Sequence, residues 1–152
     1  MTGDLRGLLQ TERNGLLATL SARRGGWPFA SVAPYALTDA CEPILLLSDL
    51  AEHTRNVRAD PRASLLVLDR ASSEDPQAGS RVTLLGRVEQ VTDAQMTTAR
   101  ARYLERHPQS AGYVEMTDFR FYVLRVTEAR FIGGFGDMGW IEGERLQAAL
   151  RR

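Results

Sequence analysis

A chain of 152 residues fits one hydrophobic core, and 43% apolar against 25% charged residues place it with ordinary globular domains, not with disordered or membrane-spanning chains. Nineteen Lys plus Arg balance nineteen Asp plus Glu, so no basic field exists to attract a nucleic-acid backbone. The lone cysteine, Cys41, excludes an internal disulfide and suits a reducing compartment.

The N-terminal stretch MTGDLRGLLQTERNG carries acids and no long apolar run, so the expectation is a cytoplasmic protein with no membrane partner. From Gly3 to Arg13, Leu5, Leu8 and Leu9 fall at helical spacing, and Asn14-Gly15 tolerates a left-handed C-terminal cap. Leu16 to Ala22, Phe29 to Leu37 and Ile44 to Ser48 read as three strands, separated by turns at Arg24-Gly25-Gly26 and at Asp39 to Pro43.

Asp49 and Glu52 have the spacing of a capping box, followed by Leu50, His53, Thr54 and Val57 at helical spacing until Asp60-Pro61 ends the helix. Ala63 to Asp69 and Arg81 to Val91 supply two further strands on either side of a polar loop, Ser72 to Ser80. A third helix starts at Thr92-Asp93, aligns Met96, Ala99, Tyr103 and Leu104, and stops at His107-Pro108. Phe119 to Val126 is apolar on both faces, as in a doubly buried strand. Ala129 to Ile132 then runs into Gly133-Gly134-Phe135-Gly136, and a weak helix from Glu142 to Leu150 closes the chain. The pattern predicts a mostly β fold: a small antiparallel barrel of six or seven strands with peripheral helices, one domain over 1–152.

Three segments carry candidate chemistry. Ser48 to Asn56 gathers hydroxyls, an imidazole, a guanidinium and an amide at a helix start, where free N–H groups and the helix dipole favour an anion. There Arg55 can clamp a phosphate with Ser48, His53 and Thr54 as donors, or Ser48 and Asp49 simply cap the helix beneath a solvated Arg55. Pro34 cannot donate to a ladder, so it marks an edge strand or a bulge, and the small residues Ala30, Ser31 and Ala33 leave room beside it for a flat ring. The glycine loop with Trp140 either covers a cofactor or closes the barrel. His53 and His107 are the two histidines, with no zinc spacing and no metal site expected. Neither a G-x-S-x-G nucleophile nor a nucleophile and base pair is present, which suits chemistry carried by a cofactor.

With these residues assembled, the chain resembles the pyridoxamine-phosphate-oxidase-like FMN-binding split-barrel superfamily, in the branch related to bacterial haem-iron-utilisation proteins. The likeness runs through Gly15–Ala22, Pro28–Tyr35, Ser48–Pro61, Ala63–Val67, Asp118–Val126 and Gly133–Gly136, and its most specific part pairs SxLAxHTxNxxxDPRASLLV with DFRFYVLRV and GGFG. The resemblance implies a homodimer with two FMN sites across its interface. Ser31, Val32, Ala33 and Pro34 would lie along the isoalloxazine, Ser48, His53, Thr54, Arg55 and Asn56 around the phosphate, and Gly134 and Trp140 near the cofactor or a haem face. No catalytic residue is assigned. The chain departs from the vitamin B6 oxidases, which carry an Arg and a Lys on the strand matching Ser31 to Ala36 and a terminal Trp-Arg-Leu-x-Pro; here Arg145-Leu146-Gln147 lacks the tryptophan and proline. The implied function is therefore an FMN-dependent oxidoreductase or flavin-binding protein that does not oxidise pyridoxamine phosphate, with a deazaflavin as a further candidate guest. The alternative is haem binding or breakdown on the same dimer, with His53 or His107 as axial ligand.

Overall fold

The computed structural model describes residues 2–133 and 137–151. Eight strands and four α-helices are present among them. In chain order these are α1 (Thr2–Thr11), β1 (Asn14–Leu20), β2 (Pro28–Pro34), β3 (Ala36–Leu37), β4 (Pro43–Ser48) and α2 (Glu52–Ala59). They are followed by β5 (Arg62–Leu68), β6 (Ser80–Gln90), α3 (Asp93–Arg106), β7 (Phe119–Gly133), β8 (Met138–Glu142) and α4 (Gly143–Arg151). The mostly β, antiparallel split barrel expected from the sequence is what forms.

All strands belong to one sheet, in the order β2-β1-β5-β6-β7-β4-β3, with β8 added to β7. The two terminal strands of that path, β2 and β3, are consecutive in the chain and separated only by Tyr35. One residue therefore carries the chain from one edge of the curled sheet to the other, which closes the barrel without a ladder between its edges. Tyr35 is fully buried, its N–H donates to the Arg13 carbonyl at 3.0 Å, and its hydroxyl donates to the Leu9 carbonyl at 2.7 Å.

The continuous strand expected over Phe29 to Leu37 is thus two strands, because Tyr35 turns inward where Pro34 ends the pairing with β1. Pro34 pairs with Asn14 at the end of an edge strand, the placement that its missing N–H allows. The last two expected strands merge into a 15-residue β7, bent by a register shift opposite Leu85 and Gly86 of β6. The capping box expected at Asp49 and Glu52 does not form. The N-cap of α2 is Ala51 with no side-chain bond, and Asp49 instead binds Arg58 and Arg120.

Alternation along the strands sends Leu17, Leu65, Val67, Val82, Leu84, Tyr122 and Leu124 inward, where Leu5 and Leu9 of α1 and Ile141, Leu146 and Leu150 complete the main core. On β7 the intervening residues Phe121 and Val123 are buried too, since α3 covers that outer face with Ala99 and Tyr103 to make a second core with Ile44. The doubly apolar pattern of Phe119 to Val126 has this cause. The same alternation sets out a different surface on the uncovered part of the sheet, where cross-strand pairing aligns Val32, Leu16, Leu66, Thr83, Arg130 and Trp140 in one row.

Candidate functional site

The segment 48–56 is built where β4 hands over to α2, and α2 packs against β1 and β2 at the barrel mouth. Asn56 is fully buried; its Oδ1 accepts from the Ala22 N–H at 2.9 Å and its Nδ2 donates to Thr19 Oγ1 at 3.0 Å. These bonds fasten the helix to β1. Ser48 Oγ donates to Asp118 at 3.1 Å and accepts from the Leu50 N–H at 3.1 Å, so it ties the turn to the start of β7. A carboxylate beside Ser48, and no free hydroxyl proton, make this a poor wall for a phosphate.

Thr54 is fully buried, and its Oγ1 has no hydrogen-bond partner among the described residues. Arg55 is exposed and makes no ion pair among them. Of the five residues grouped around a phosphate by resemblance, two are thus engaged in holding the fold, one is enclosed, and His53 and Arg55 remain accessible.

His53 is the member that the structure brings to a second expected site residue. Its Nδ1 lies 3.0 Å from Ser31 Oγ on β2. Partial burial pushes the pKa of His53 below its ordinary value of 6.5, so the ring is neutral at pH 7. When Ser31 accepts from Nδ1–H, the lone pair is on Nε2, and the ring is oriented as metal-binding imidazoles are oriented by a bond on their other nitrogen. Phe29, two residues from Ser31 on the same strand face, is 37% exposed, whereas Val32, 65% exposed, faces the outer side of the sheet with Leu16. Ala33 is buried and Pro34 exposed.

His107 has a different environment. It is 3% exposed at the C-terminal end of α3, and its Nε2 lies 2.7 Å from the Tyr35 carbonyl. A carbonyl only accepts, so Nε2 carries the proton and is unavailable to a metal. Of the two histidines expected as candidate axial ligands, the structure removes His107 and leaves His53 as the accessible one.

Trp140 is half exposed on β8, with Arg130 over its ring at 5.9 Å. Five strand spacings, roughly 24 Å along the sheet, separate it from Val32. The fold does not bring Trp140 to the Ser31–His53 pair within one chain. Gly134 lies outside the described residues.

The sequence reading missed the breadth of the apolar outer face. Leu16 is 40% and Met138 54% exposed on it, and beside them a groove of about 590 Å³ is lined by Ala18, Leu20, Pro28, Arg62, Ser64 and Arg87. The signal was there in Leu16-Leu17, two leucines in a row on a strand otherwise half solvated, since a one-faced strand alternates apolar with polar. Among the described residues no helix is long and apolar enough to cross a membrane.

Comparison with known proteins identifies the fold and family. The family model described as CREG, beta-barrel matches residues 5–147. A heme binding protein from Mycobacterium smegmatis superposes with a TM-score of 0.89 at 37% identity, over 97% of this chain and 60% of that one. The chloroplastic non-canonical heme oxygenase HOZ of Arabidopsis thaliana is 32% identical over 96% of this chain, which spans about half of that relative, 46% of its length. A Clostridium acetobutylicum protein of the pyridoxinephosphate oxidase family shares the fold at a TM-score of 0.70 and 10% identity, over 95% of this chain and 96% of its own. The chain therefore belongs to the CREG β-barrel family, built on the split barrel that pyridoxamine-phosphate-oxidase-like proteins share.

Proposed function

We propose that the protein binds haem at the Ser31–His53 pair, as part of a homodimer. The observation that carries the reading is the 3.0 Å contact, which leaves the Nε2 lone pair of a neutral imidazole free when Ser31 accepts from Nδ1–H, with partly exposed Phe29 on the same strand face. The relatives named for haem support it, and neither of the two with more than 30% identity is named for a flavin. FMN, the first expectation from the sequence, has less support, since Ser48 and Asn56 are committed to Asp118, Thr19 and Ala22.

His53 would hold the iron through Nε2 and Ser31 would orient the ring. Phe29, on the same strand face as Ser31, would pack against the macrocycle, and the exposed Arg55 would face a propionate. Bound haem supplies an iron centre for ligand binding and electron transfer. The apolar row across the outer sheet is wide enough to seat a second copy, and a two-fold partner would bring its own Trp140 towards the Ser31–His53 pair, which one chain cannot do.

Titration of the protein with haemin tests this. A saturable Soret shift at one haem per chain is expected, lost in His53→Ala and retained in His107→Gln. A wild-type titration without a Soret shift, or one unchanged in His53→Ala, defeats the reading. A parallel FMN titration that saturates while haemin does not would restore the flavin.

A further inference from the structure

We propose a second ligand site, for a small multivalent oxyanion, in the cavity between α1, β3 and the C-terminal end of α3. It goes beyond the haem reading and shares no residue with the Ser31–His53 pair. The cavity measures about 330 Å³ and is lined by Gln10, Arg13, Ala36, Leu37, Arg102, Glu105 and Arg106. Such a volume is at the lower end of ordinary small-molecule pockets, which start at about 300 Å³.

Its walls carry three guanidinium groups against two carboxylates, Glu105 on the wall and Asp39, which is bonded to Arg102. The remaining acid nearby is unavailable, because the Glu12 carboxylate is buried and bound to Arg70 at 3.0 Å. The guanidiniums are held in place by the fold. Arg106 donates to the Glu12 carbonyl and Arg102 to the Leu37 carbonyl. Arg13 is exposed at the mouth and makes no ion pair among the described residues.

The base of the Arg106 guanidinium is anchored beneath the cavity wall. Arg106 Nε is buried and has no acceptor among the described residues. An oxyanion in the cavity would accept charge-assisted bonds from the guanidinium ends that line it and would relieve the mutual repulsion of the arginines.

The negative end of the α3 dipole by itself accounts for a basic residue in its last turn, which Arg106 is. It does not account for Arg13, contributed from the α1–β1 junction, or for Arg102, one turn earlier, lining the same cavity. Three planar guanidinium forks, two from α3 and one from the α1–β1 junction, suit a ligand with several anionic oxygens, a phosphate ester or a polycarboxylate.

Isothermal titration of the full chain with inorganic pyrophosphate, and separately with citrate, decides between these sources and tests the site. One site per chain is expected for at least one probe, weakened about tenfold by Arg13→Gln, as expected for loss of one charge-assisted bond. Arg55→Gln is expected to leave that titration unchanged, which separates this cavity from the start of α2. Because Arg106→Gln risks the α1–α3 contact, exposed Arg13 is the deciding variant. Absence of binding by both probes at millimolar concentration, or an Arg13→Gln titration identical to wild type, overturns the proposal.

Discussion

His107 and Tyr35 are joined by a 2.7 Å bond from imidazole Nε2 to the backbone carbonyl, across 72 residues of chain. Tyr35 is the single residue between the two edge strands, so the bond clamps the barrel's closure to the end of α3. The ring of His107 also packs on Tyr103, 4.8 Å between centroids. Tyr35→Phe removes only the hydroxyl that the Leu9 carbonyl accepts and leaves that carbonyl buried. A loss of about 1–3 kcal/mol is expected in chemical denaturation. A change of less than a few tenths would show that the bond does not hold α1 to the closure.

The same histidine makes the fold acid-sensitive. Burial is the main cause that pushes its pKa below 6.5, with Arg106 and Arg13 adding to the effect and the Tyr35 bond opposing it. The unfolded chain therefore binds this proton at a higher pH than the folded one. Stability is complete above 6.5 and falls as pH drops below it, by at most about 1.4 kcal/mol per pH unit for one group. Urea midpoints measured between about pH 5 and 6.5 should decline less steeply in His107→Gln than in the wild type. Parallel slopes would place the sensitivity elsewhere.

Gly86 is a site where no side chain fits. A Cβ built there would lie 2.0 Å from the Arg125 carbonyl oxygen and 3.1 Å from Val126 Cα, at the register shift between β6 and β7. The backbone of β7 cannot yield as a side chain can, so Gly86→Ala must break or displace the longest ladder of the sheet. Loss of several kcal/mol, or no soluble protein, is expected. Gly7→Ala, with open space around its Cβ on exposed α1, is the control and should fold normally.

The fold was legible in the sequence wherever a local pattern decides. Leu5, Leu8 and Leu9 announced α1, and the unbroken apolar run from Phe119 announced a strand buried on both faces. Local patterns did not reveal that Tyr35 interrupts a strand, because the cause is the closure of a sheet whose edges come from distant segments. The cap of α2 failed for a similar reason: Asp49 has two arginines in reach, Arg58 from within α2 and Arg120 from β7, and ion pairs outcompeted the helix end. Of the site, the family resemblance set Ser31 along a ring and His53 around a phosphate, and their direct contact at 3.0 Å was legible neither from it nor from spacing. The separation of Trp140 from that pair needed the strand order.

The apolar outer face predicts self-association. Leu16 pairs with both Val32 and Leu66 across the strands, so three large apolar residues line up on the solvent side of the sheet. An exposed stripe of this kind is a docking surface in most soluble proteins. Light scattering after gel filtration should report twice the mass of the chain. Leu16→Lys should yield a folded monomer, because lysine keeps the strand but sets like charges against each other across the two-fold. A monomeric wild type would remove the dimer, and with it any contribution of Trp140 to the Ser31–His53 site.

Haem affinity should depend on pH through His53, which binds iron only when neutral. Desolvation lowers its pKa below 6.5, so the neutral form dominates at pH 7, and affinity should hold well into the mildly acidic range before it falls. Ser31→Ala removes the acceptor on Nδ1 and frees the ring to rotate. A loss of about 10- to 100-fold in affinity is expected, the usual size for a partner that orients a metal-binding histidine. Ser31→Thr keeps an oxygen at the same Cβ and should restore most of it. If Ser31→Ala binds haemin as tightly as the wild type while His53→Ala does not, the histidine is held by something other than the β2 hydroxyl. If neither substitution matters, the iron is bound elsewhere on the barrel.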